Sequence, residues 1–92
     1  IFKEEALAHV MALGKDRKDP KAICAVSFAL GNFSLDEAHA RRVVDAGGLA
    51  WVLQQLSSGD PEILRTAWGA ISTLAKYPFG RQEILNAGGL KS

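Results

Sequence analysis

Ninety-two residues, 48% hydrophobic and 23% charged, bound one small folded domain. Eleven basic against ten acidic side chains leave a net charge of +1, which provides no bulk field for holding nucleic acid or an anionic membrane surface. The one cysteine, Cys24, excludes an internal disulfide and points to a reducing compartment such as cytosol or nucleus, while the longest nearly apolar run, Ala22–Leu30, is far too short to span a bilayer.

Residues from about Phe2 to Leu13 read as a helix, because Leu7, Val10 and Met11 recur at helical spacing opposite Lys3, Glu4 and Glu5. Gly14 is expected to close it in the left-handed conformation. Lys15-Asp16-Arg17-Lys18 follows as a solvated charged turn. Asp19-Pro20 is an N-cap with proline at the first helical position, and the helix it opens should run to about Phe33. Its inward stripe is Ile23, Val26, Leu30 and Phe33, with Ala22, Ala25, Ala29 and Gly31 letting neighbours approach. Ser34 and Glu37 have the spacing of a capping box and predict a short helix over Asp36 to Asp45, with Ala40, Val43 and Val44 inward and Arg41-Arg42 outward.

Gly47-Gly48 should end that helix, the first glycine as left-handed cap and the second as a sharp bend. Leu49, Val52, Leu53 and Leu56 repeat the stripe of the first helix. Ser57-Ser58-Gly59 is a loop, and Asp60-Pro61 opens a second long helix whose predicted buried side is Leu64, Ala67, Trp68, Ile71, Leu74 and Ala75. Tyr77-Pro78 stops it, since the residue before proline is driven out of the helical region. Phe79–Asn86 repeats the short helix, with Ile84 and Leu85 inward.

The chain repeats itself at an offset of 41. Ala46-Gly47-Gly48-Leu49 returns as Ala87-Gly88-Gly89-Leu90, Asp19-Pro20 as Asp60-Pro61, and Ala29-Leu30 as Ala70-Ile71; residues 19–49 and 60–90 share seven identities without a gap. A helical period near forty is the mark of a solenoid, in which each unit buries its apolar face against its neighbours. The unit is three helices: short, medium and long. Residues 1–35 read as a partial unit, 36–77 as a complete one and 78–92 as the start of another. Two incomplete units leave apolar ends, so the expectation is a piece of a longer array, marginally folded or associated when isolated.

Ala29-Leu30-Gly31-Asn32-Phe33-Ser34, Ala70-Ile71-Ser72-Thr73-Leu74-Ala75 and Val43-Val44-Asp45-Ala46-Gly47-Gly48-Leu49 resemble the third-helix run and first-helix ending of the armadillo repeat. The resemblance covers nearly the whole chain; HEAT repeats share its period. It implies an all-α fold, a right-handed α-solenoid of about two three-helix repeats. It also implies a concave groove lined by third helices that binds extended peptides. Nuclear import adaptors of the family hold basic peptides with a Trp and an Asn four residues apart. The matching positions here are Phe28 and Asn32, then Gly69 and Thr73, so the aromatic is changed in one pair and both residues differ in the other.

Independently of the family, Asn32 and Thr73 project from the same place on successive long helices and can form a polar ladder for an extended backbone. Arg65 and Lys76 flank that line and favour an acidic partner. Phe28, Asn32, Arg65, Thr73 and Lys76 are therefore the candidate partner-binding residues. No nucleophile–base set, phosphate loop or metal-ligand spacing stands out: His9 and His39 are each alone and read as structural, and Cys24 as small-residue packing. Asn32-Phe33-Ser34 fits a glycosylation triplet but falls in a helix. The expected function is a non-catalytic, cofactor-free protein–protein scaffold inside the cell, in the cytoplasm or else the nucleus, cilium or cytoskeleton, whose partners are an extended or helical segment of another protein and neighbouring repeats, not nucleic acid. Its rivals are a spacer in a ciliary or cytoskeletal assembly, or an accessory domain of an enzyme or transport adaptor.

Overall fold

A computed structural model describes residues 4–87. It is all-α: helices α1 (Glu4–Asp16), α2 (Pro20–Phe33), α3 (Glu37–Asp45), α4 (Gly48–Gln54), α5 (Pro61–Leu74) and α6 (Pro78–Asn86), with a 3-10 turn at Gln55–Ser57 after α4. No strand occurs among the described residues. The expected contribution of Phe2, and the surroundings of Leu90, lie outside them.

The punctuation places most boundaries. Asp19 caps α2, its carboxylate accepting from the Ala22 N–H at 3.3 Å with Pro20 at the first turn, and Asp60 caps α5 by accepting from the Glu62 N–H at 2.9 Å. Both long helices therefore begin at an Asp-Pro pair and run fourteen residues, and α2 and α5 are displaced by 41 residues at both ends. The short helices α3 and α6 show the same displacement. Gly47 takes φ 87°, the left-handed cap expected of it. Gly48 is needed for a different reason: a Cβ there would stand 2.7 Å from Val43 Cγ1.

Three expectations are corrected. The first helix does not stop at Leu13; it continues through Gly14 to Asp16. Gly14 is instead a point of close approach, buried beneath the Trp51 indole, which sequence periodicity does not reveal. Ser34 forms no capping box. It is buried at the end of α2, its hydroxyl donating to the Leu30 carbonyl at 2.7 Å, and Asp36 caps α3 by accepting from the His39 N–H at 2.8 Å. Asp36 directly precedes the first helical residue, so it outcompetes a serine two positions further back.

The third correction concerns the outer edge. Trp68 and Leu85, expected inward, are 53% and 57% exposed; on α5 Ala67, Ile71 and Leu74 are buried as expected, Leu64 and Ala75 are half-buried, and Ile63 and Ala70, not among the expected residues, are buried. The side of α5 that carries Trp68 has no helix over it among the described residues.

One core joins Leu7 and Met11 of α1, Val26 and Leu30 of α2, Ala40 and Val43 of α3, Leu49, Trp51 and Val52 of α4, and Ala67, Ala70, Ile71 and Leu74 of α5. Like packs beside like: α2 lies along α5 and α3 along α6. Small residues permit this closeness. A Cβ added at Gly31 would sit 3.5 Å from the Ala70 Cα. Tyr77 ties the two units together, its hydroxyl donating to the Ser34 and Leu35 carbonyls at 3.3 Å each, while its ring stacks on Phe79 at 5.3 Å and Arg41 lies 4.5 Å above Phe79.

Candidate partner-binding face

The five candidate residues fall on α2, α5 and the turn after α5. Phe28 is 67% exposed, and Asn32, one helical turn on, is exposed as well. They occupy one face of α2, beside Gly31 at its approach to Ala70. On α5, Thr73 is half-buried and its hydroxyl already donates to the Gly69 carbonyl at 3.2 Å. The oxygen lone pairs remain for an incoming N–H. Arg65 is exposed but not idle: it hydrogen-bonds and pairs with Glu62, which holds its guanidinium above the ordinary arginine value. A partner must compete with that carboxylate. Lys76 is exposed in the turn beyond α5.

Two features were not singled out in the sequence. The first is an apolar groove of about 320 Å³ lined by Leu53, Leu56, Trp68, Ile71, Ile84 and Leu85. All six are expected from the sequence to face inward: Ile71 is buried and Leu53, Leu56 and Ile84 are half-buried against the core, whereas Trp68 and Leu85 stand open. The second is a cavity of about 280 Å³ floored by Met11 and Trp51 and rimmed by Lys15, Arg17 and Lys18. The turn expected to be merely solvated therefore forms a basic rim. Arg17 is engaged there, its Nε donating to Asp19 at 3.0 Å.

The Asp19 carboxyl lies below the usual aspartate value. Partial desolvation pushes it up, but the Asp19 and Ala22 backbone N–H groups and the Arg17 guanidinium outweigh that. His9 is exposed; His39 is half-buried with Nδ1 3.3 Å from Asp36, and Cys24 is half-buried. Among the described residues no three of His, Cys, Asp and Glu are grouped to hold a metal ion, and no helix is long and apolar enough to cross a membrane.

No family model matches the chain, and no solved structure matches it. It is similar to Vacuolar protein 8 of Candida albicans, with 29% identity over 85 residues. That stretch is 92% of this chain and 14% of the relative's length.

Proposed function

We propose that the chain is a piece of an armadillo-type array and serves as a non-catalytic scaffold for protein–protein interaction in the cytoplasm. Residues 1–35 are a partial repeat, 36–77 a complete one, and 78–92 the beginning of a third. The partner is an extended segment lying across α2 and α5, its backbone met by Asn32 and Thr73, with Phe28 beside it and Lys76 and Arg65 favouring acidic side chains.

The observation that carries this reading is the pairing of α2 with α5. Two helices offset by 41 residues at both ends pack side by side, so equivalent positions recur on neighbouring helices. Similarity to Vacuolar protein 8, an armadillo-repeat protein, supports the same reading.

The test is an array of extended acidic peptides probed with the chain and with the double variant Asn32→Ala, Thr73→Ala. Peptides retained by the parent and lost by the variant, at unchanged helical circular dichroism, are the expected result. Equal retention by both would remove the ladder from the mechanism.

A further inference from the structure

The end of α1, the charged turn after it and α4 bound the cavity of about 280 Å³, which the Asn32–Thr73 face does not use. Its walls come from inside the chain: Met11 on α1, Ile23 on α2, and Ala50 and Trp51 on α4. The opening is therefore independent of where the sequence begins or ends. The floor is apolar and well packed. Met11 is 7% exposed and Trp51 8%, with Ile23 half-buried beside them.

The rim is cationic. Lys15, Arg17 and Lys18 line it, and among the described residues no carboxylate does; Asp16 shares the turn but not the wall. Arg17 is held by Asp19, whereas neither Lys15 nor Lys18 pairs with a carboxylate among the described residues. The repeat itself does not ask for this charge. Forty-one residues on, Lys15, Arg17 and Lys18 are replaced by Leu56, Ser58 and Gly59, while Met11 and Ile23 return as the apolar Val52 and Leu64. Packing of the unit thus needs the floor and not the three cations, which are particular to this one cavity.

The cavity is smaller than small-molecule pockets, which run from about 300 to 1,000 Å³. Trp51 is too deeply buried to offer a ring face on which a nucleic-acid base could stack. What fits is one apolar side chain from a segment lying across the mouth, with acidic neighbours reaching the lysines. We propose that this cavity docks an acidic peptide segment, one leucine- or phenylalanine-sized side chain seated on Met11, Ile23 and Trp51 and flanking carboxylates paired to Lys15 and Lys18. The site is separate from peptide capture by Asn32 and Thr73, whose failure would leave it standing.

Trp51 is itself the reporter, because Trp68→Phe leaves it the only indole in the chain. The fluorescence of that variant is titrated with acidic peptides that differ only in their central residue. Leucine or phenylalanine at the centre should shift the Trp51 emission saturably, and serine there should weaken binding by about tenfold or more. Adding Lys15→Gln and Lys18→Gln, both at exposed positions, should weaken the leucine peptide by about fivefold or more at unchanged helical circular dichroism. Asn32→Ala with Thr73→Ala should leave it unchanged. No saturable shift with any central residue, equal binding of the serine and leucine peptides, or equal binding by the lysine variant would each overturn the proposal. Loss of binding in the Asn32–Thr73 variant would overturn it by moving the peptide to that face. An equal shift with sodium phosphate or oligothymidylate would overturn it by making the cavity a general anion site.

Discussion

The Trp51 indole lies against Gly14 so closely that a Cβ on that glycine would stand 3.0 Å from Cζ2 and 3.1 Å from Cε2, with Val26 Cγ1 at 3.2 Å. Alanine would favour the helix by about 1 kcal/mol, yet overpacking a fixed ring costs roughly 1–3 kcal/mol. Gly14→Ala is therefore expected to lower stability on balance. Gly69 is the control, since it lies inside α5 with nothing within 4 Å of an added Cβ. Gly69→Ala should raise stability by about 0.5–1 kcal/mol. Urea unfolding followed by circular dichroism gives both values, and a shared sign would remove the packing argument.

Ser27 is wholly buried in α2, and its hydroxyl has no hydrogen-bond partner. An unsatisfied buried hydroxyl costs about 1–3 kcal/mol, whereas alanine asks for nothing there. Ser27→Ala should stabilise the fold by about 1 kcal/mol, or about 4–8 °C in melting temperature for a chain of this size. A lowered melting temperature would mean that the hydroxyl is satisfied in solution.

The contrast of Ser27 with Trp68 shows what was legible in the residues and what was not. Local chemistry marked the long and short helices, because Asp-Pro, Tyr-Pro and Gly-Gly act within a few residues of themselves. The repeat even placed Trp68 on an apolar side. Whether another helix covers that side is a tertiary fact, and no spacing within α5 contains it. Gly14 was misread for the same reason, since the ring that demands it arrives from 37 residues away. Of the candidate face, the exposure of Phe28, Asn32 and Lys76 follows from helical phase. The Glu62–Arg65 pair was readable from its i, i+3 spacing and was missed.

Tyr77 sits at the N-cap position of α6 without capping it, and its hydroxyl reaches the carbonyls of Ser34 and Leu35 in the turn between α2 and α3. Tyr77→Phe keeps the stacking on Phe79 and removes only the donor. The expected loss is about 1 kcal/mol, the usual net worth of a part-buried hydrogen bond. Thermal melts of the variant and parent at one concentration measure it. A neutral result would assign the tie between units to the rings alone.

Asp19 supplies a pH dependence whose sign follows from its lowered value. Its carboxyl releases its proton more readily folded than unfolded, because the N–H groups at the start of α2 and the Arg17 guanidinium favour the anion. The stabilisation is thus fully present above the unfolded value near 3.9 and is lost as pH falls through the lower folded value. Other carboxylates titrate in the same window, so the difference between parent and Asp19→Asn carries the information. Asparagine keeps an N-cap acceptor and does not titrate. The melting temperature of the parent should fall more steeply than that of the variant as pH drops below about 4, and the two curves should converge in strong acid. Parallel curves across that range would show that the Asp19 charge contributes nothing to the fold.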